Sequence, residues 1–168
     1  MTRILTPSLA RFIATLGTLA VMLDVSVVAQ SPIRSLPAFD LLAGDGSAVS
    51  SLALSQPEHW LLVVAQRPCP RCEAALAALA TTTEPGKMVI VWPGASVVEL
   101  NAMRARHSQL GAAAWYRDEH RAVLSTLGVN GAPVVMGMSG NRIFWTRNLA
   151  AMSAGDIESL VKSWIQQQ

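Results

Sequence analysis

Trp60-Leu-Leu-Val-Val-Ala65-Gln-Arg-Pro-Cys69-Pro-Arg-Cys72 is the stretch that decides how this chain folds. Trp60–Ala65 is a continuous apolar run containing two β-branched valines. It is too short for a buried helix and fits a central strand covered on both faces. Beyond the cysteines, Glu73–Thr81 is rich in alanine and leucine, which predicts a helix. The pair therefore stands where a buried strand hands over to a helix. A helix N-terminus carries unpaired amide donors and a partial positive charge, and both stabilise a thiolate. Cys69 is thus expected to titrate below the free-cysteine value of about 8.5. Arg67 and Arg71 lie close in sequence and act in the same direction. Pro70 is tolerated in the first turn, where its missing amide costs nothing. One helical turn brings the Cys72 sulfur beside Cys69.

The chain has only these two cysteines. A structural disulfide stabilises by closing a long loop, and a gap of two residues closes almost none. The pair reads better as redox-active or metal-binding than as a staple. For a metal, only His59, His107 and His120 could add imidazole ligands, and none has tight ligand spacing. Two cysteines so spaced could also be an inert coincidence, since the spacing alone is weak evidence. The strand–helix placement favours redox chemistry. Ala65-Gln-Arg-Pro68 lacks the hydroxyl side chain expected at a peroxidatic cysteine. Trp92, Trp115, Trp145 and Trp164 read as core or rim residues.

Working outward, Ser31–Pro37 reads as an extended linker, because its prolines resist both helix and sheet interior. Ala38–Leu42 is a candidate strand, Gly44-Asp45-Gly46 a turn, and Val49–Leu54 a returning strand or the start of a short helix. Pro85-Gly86 ends the helix that follows the cysteines. Lys87–Trp92 reads as a second buried strand, stopped at Pro93-Gly94. Ser96 is a candidate N-cap for a helix from Val97 to about Leu110, with Val97, Leu100, Met103 and Leu110 on one face. Ala113–Tyr116 suits a short strand. Asp118 is expected to cap a helix reaching Leu127 and closed by Gly128. Val134–Met138 and Arg142–Thr146 read as strands joined by the turn Ser139-Gly140-Asn141. Ser153 caps a last helix with Ile157, Leu160, Val161 and Trp164 at helical spacing. Strands alternating with helices predict an α/β domain with a parallel centre and an antiparallel hairpin at one side.

The N-terminus has a different character. Arg3 and Arg11 precede Phe12–Leu23, an uncharged and mostly apolar stretch, and Val27-Val28-Ala29 offers a cleavage site. This is the pattern of a secretory signal peptide. The stretch is short for a bilayer span of about 20 residues, and Asp24 interrupts it. An uncleaved anchor over residues 12–29 is the second reading, and a buried N-terminal helix of a soluble protein the third. The first two place the remainder outside the cytoplasm, in the periplasm or cell envelope. The division expected is a signal or anchor at 1–29, a linker at 30–37 and one domain at 38–168. The net charge is +2 and the basic residues are scattered, which argues against nucleic acid as a partner.

The cysteine pair after a buried strand, Gly131-Ala132-Pro133 before a later strand, Gly140 in the hairpin and a terminal amphipathic helix together resemble a thioredoxin-fold protein. The likeness spans most of residues 36–166. It implies a central mixed sheet flanked by helices, a cis peptide before Pro133, and Ala132 and Pro133 facing the cysteines to bind substrate. The exported leader and Leu36-Pro37-Ala38-Phe39-Asp40-Leu41-Leu42 resemble the TlpA/ResA-like branch, whereas Gln66-Arg67-Pro68-Cys69 resembles MauD-like proteins. The chain departs from these patterns where tryptophan usually precedes the first cysteine (Pro68) and where buried acids usually stand (Val63 and Ala75). It departs again where proline usually precedes the second cysteine (Arg71). Glu73 adjoins Cys72, but neighbours along a helix point apart.

The expected activity is thiol–disulfide exchange with no cofactor. Cys69 attacks a partner disulfide and Cys72 resolves the mixed disulfide, or the reverse sequence oxidises a dithiol. The partners expected are exported proteins or partner oxidoreductases, and the membrane if the leader stays attached. Reductase, isomerase and maturation factor are all compatible with the motif. A cation at Arg71 is expected to favour the reduced form and raise the potential. The alternatives from other classes are a copper(I) chaperone using the two thiolates, and a non-catalytic envelope interaction domain.

Overall fold

The computed structural model describes residues 33–66, 69–81 and 84–167. The expected signal or anchor at 1–29 lies outside the described residues, as do Arg67 and Pro68. Eight strands form one sheet: β1 (Arg34–Ser35), β2 (Asp40–Ala43), β3 (Ala48–Ser50), β4 (Gln56–Val64), β5 (Met88–Pro93), β6 (Ala114–Asp118), β7 (Val134–Gly140) and β8 (Arg142–Asn148). Four α-helices accompany them: α1 (Pro70–Ala80), α2 (Val97–Arg106), α3 (Ala122–Leu127) and α4 (Ala154–Ile165). The strand order is β1-β8-β7-β4-β5-β6-β2-β3. β4, β5 and β6 run parallel, and every other pairing is antiparallel.

The period-2 alternation of a strand sends β4 residues to opposite faces. Leu61, Val63 and Ala65 enter a core shared with Leu76 and Leu79 of α1, Leu100 and Met103 of α2, and Ile157, Val161 and Trp164 of α4. Trp60, Leu62 and Val64 enter a second core with Val123 and Leu127 of α3 and with Leu36, Phe39, Leu41 and Leu54. Both faces being covered explains why its Trp60–Val64 segment is apolar without interruption. The indole N–H of Trp60 donates to the Gly140 carbonyl at 3.0 Å, and that of Trp164 to the Trp60 carbonyl at 3.2 Å. Both rings are therefore buried with their polar edge satisfied.

Several boundaries differ from the sequence reading, each for a local reason. Arg34 and Ser35, read as linker, pair with Ile143 and Arg142 on the edge of β8, and Leu36 is buried. Ala48–Ser50 is a strand and Ser51–Leu54 a 3-10 turn, so both readings of that segment hold in succession. α1 begins at Pro70 rather than Glu73, since proline suits the first helical position. α2 is capped by Ser96, with Glu99 reaching back to complete a capping box, and it ends at Arg106. A separate 3-10 turn carries Ser108–Leu110. Asp118 pairs with Pro93 in the sheet and so cannot begin α3. Its carboxylate nevertheless accepts the Val123 amide of α3 at 2.7 Å. Ser153 and Asp156 form a second capping box at α4.

Gly137 has a steric role that the sequence does not announce. It lies opposite Trp145 in the β7–β8 pairing, beside a register shift. The Trp145 indole covers the backbone there, and a Cβ at position 137 would run into its ring atoms. Trp145 in turn meets Trp164 edge-on at 5.7 Å. Gly137→Ala is expected to lower stability by about 1–3 kcal/mol, the range for an overpacked site. Urea denaturation followed by tryptophan fluorescence measures it, and an unchanged midpoint would refute the steric account.

His107 closes α2 with its ring buried and Nε2 without a hydrogen-bond partner. Burial pushes its pKa below the ordinary 6.5; Glu73 opposes that shift and Arg106 adds to it. The unfolded chain then binds a proton at a pH where the folded chain does not. Stability from this group is complete above about 6.5 and falls as pH drops through 6.5 toward the lowered folded value. His107→Gln should flatten the dependence of Tm on pH between roughly 5 and 7.5. A slope equal to that of the parent protein would remove His107 from the account.

Candidate active site around Cys69 and Cys72

β4 ends at Val64, and the next amide, that of Ala65, donates to the Val91 carbonyl at 3.1 Å. The chain is thus held against β5 until just before the cysteine motif. Cys69 takes the N-cap position of α1 with an extended backbone (φ −152°, ψ 90°). Its sulfur accepts the Cys72 amide at 3.0 Å, and its carbonyl accepts the amides of Cys72 and Glu73 at 2.9 and 3.2 Å. The thiol sulfur occupies the place that a serine or aspartate oxygen takes at an ordinary cap. Cys69 and Cys72 are joined as a disulfide, with their Cα atoms 5.2 Å apart. The two differ in access: Cys72 is fully buried in the core beneath α1, whereas Cys69 is only partly buried.

The opposite wall comes from the loop before β7. Gly131 adopts φ +90°, a conformation open to glycine, and the Ala132–Pro133 peptide is cis. The Ala132 carbonyl lies 4.0 Å from the Cys69 sulfur. The Pro133 carbonyl accepts the Leu149 amide at 2.9 Å, tying this loop to the end of β8. The cysteines and Ala132-Pro133, far apart in sequence, are thereby brought together. Arg71 is on the second residue of α1 and exposed. Arg67 lies outside the described residues.

Val63 and Ala75 are buried in the apolar core on the α1 side. No carboxylate occupies either position where the resemblance would place one. The carboxylate in the first turn of α1 is Glu73. Its Oε1 is 2.7 Å from Nη1 of Arg106, and its Oε2 is 3.9 Å from Nε2 of His107. The sequence reading did not anticipate Arg106 or His107 beside Glu73. Nothing local announces a contact spanning 33 residues, although basic residues at the end of a helix are a recognised pattern. Among the described residues, no group of three or more His, Cys, Asp and Glu side chains is placed to hold a metal ion.

No family model matches the chain, and no curated protein matches it. Solved structures do. A thiol:disulfide interchange protein from a Bacteroides species is 14% identical, with a TM-score of 0.64 over 81% of this chain and 91% of that one. The thioredoxin domain of a thiol-disulfide oxidoreductase from Bacteroides vulgatus is 14% identical, with a TM-score of 0.59 over 79% and 96%. A secreted disulfide oxidoreductase of Mycobacterium tuberculosis is 18% identical, with a TM-score of 0.58 over 74% and 95%. At such identities the likeness is one of architecture, and the architecture of this chain is the thioredoxin-like α/β fold.

Proposed function

We propose that the protein is a thiol–disulfide oxidoreductase acting on exported proteins through Cys69-Pro70-Arg71-Cys72. One observation carries the reading: a disulfide at the start of α1, with the accessible sulfur receiving a helix amide and facing the Ala132 carbonyl. The names of the solved structures with the same fold support it, since they include an interchange protein and a secreted disulfide oxidoreductase.

In the reducing direction, the Cys69 thiolate attacks one sulfur of a partner disulfide. A bond forms between Cys69 and that sulfur, and the other partner sulfur leaves as a thiolate. Cys72, deprotonated, then attacks the Cys69 sulfur. The intramolecular disulfide forms, the second partner sulfur leaves, and the partner has gained two electrons. The Cys72 amide and the helix N-terminus stabilise the negative charge on Cys69 at the start of the cycle. Burial supports this division of roles, since Cys69 is partly accessible while Cys72 is fully buried. Ala132 and Pro133 form the rim along which the partner backbone lies, and the positive charge of Arg71, with that of Arg67 close to Cys69 in sequence, favours the thiolate. No cofactor is required.

The location belongs to the same proposal. Residues 1–29 export the chain or anchor it, and residues 38–168 work in the periplasm or cell envelope. Among the described residues, no helix is long and apolar enough to cross a membrane.

Cys72→Ser expressed in its native envelope should accumulate mixed disulfides on Cys69 that dithiothreitol releases, and the trapped partners can be identified by mass spectrometry. Cys69→Ser should trap none and reduce insulin only at the uncatalysed rate. Equal trapping by both variants would overturn the assigned roles, and full insulin reduction by Cys69→Ser would overturn the function.

A further inference from the structure

We infer that Arg106, at the end of α2, is a positioning residue for the thiolate: by neutralising Glu73 it keeps a negative charge from opposing ionisation of Cys69. The inference rests on the proposed role of Cys69 as nucleophile. Glu73 is four residues beyond Cys69, and its amide donates to the Cys69 carbonyl at 3.2 Å. Cys69 is the N-cap and Glu73 lies in the first turn of the helix it opens. A carboxylate in the first turn draws on the same positive helix end that stabilises a thiolate, and it repels a second anion there. Uncompensated, Glu73 would raise the pKa of Cys69.

The compensating charge comes from a different element. Arg106 is the last residue of α2 and stands 2.7 Å from Glu73. His107 approaches the other carboxylate oxygen, but burial favours its neutral form. That leaves Arg106 as the cation on Glu73 near neutral pH. Both partners of the pair are substantially exposed, with side chains 50% and 38% accessible. Such pairs add little to folding stability. A role for this pair in holding the fold is therefore small.

The test uses the full chain in a Cys72→Ser background, which leaves one thiol and retains the amide donor. The rate of Cys69 alkylation by iodoacetamide is followed against pH at low ionic strength. Arg106→Gln should raise the apparent pKa and slow alkylation at pH 7 by about two- to four-fold, the size of one screened charge. Arg106→Lys should restore the rate, and about 1 M salt should erase the difference. Glu73→Gln should alkylate at least as fast as the background protein, and adding Arg106→Gln to it should change nothing. Tm should be nearly equal throughout. An unaltered rate in Arg106→Gln, or the same slowing when Glu73 is already Gln, would overturn the inference. An apparent pKa near 8.5 in the background protein would instead count against Cys69 as an activated nucleophile, whatever Arg106 does.

Discussion

Burial of β4 on both faces is the constraint on which the rest of the molecule depends. Leu61 and Val63 point to the helices α1, α2 and α4, while Trp60, Leu62 and Val64 point to α3 and the N-terminal strands. A strand in that position is paired on both sides, with β5 in parallel and β7 in antiparallel. It has no freedom to slide, because a shift of one residue would exchange the two sets of side chains. The cysteines follow the end of this strand. Their position is therefore set by the most heavily packed part of the fold, even though Cys69 itself is accessible.

The second half of the site is held by different means. Ala132 and Pro133 precede β7, which pairs with β4 from Val64↔Val134 onward. The pairing that anchors the cysteines on one strand thus sets the distance to the loop on the other. α1 is packed against the same sheet through Leu76 and Leu79, and its first amides converge on Cys69. Chemistry at the pair follows from backbone placement. The positive end of a helix, the buried sulfur of Cys72 and a facing carbonyl all come from main-chain geometry, and none needs a buried acid. Val63 and Ala75 fill the places where an acid could have stood.

Much of this was readable from local pattern. The apolar run at Trp60–Ala65, the caps Ser96 and Ser153, Gly128 and the Ser139-Gly140-Asn141 turn each act over a few residues, and each marks an element of the expected type, although β4 begins four residues earlier, at Gln56, and α2 ends at Arg106. The errors arose where a distant partner intervened. Arg34 and Ser35 are strand only because β8 offers an edge. Asp118 remains in the sheet because Pro93 pairs with it, and it caps α3 from there. Gly137 shows its meaning only when Trp145 lies across it.

The cysteine pair was the clearest signal in the sequence, and its placement at the start of a helix followed from composition on either side. Sequence by itself determined that strand–motif–helix unit, the alternation of strands and helices, and the residues that cap them, because these depend on side chains a turn or less apart. Only the tertiary structure decided which cysteine is accessible, that Ala132 faces it at 4.0 Å, and that Glu73 meets Arg106 from another helix. Those facts depend on how separate elements pack against one sheet. A contact between residues tens of positions apart leaves no periodicity in the chain from which it could be read.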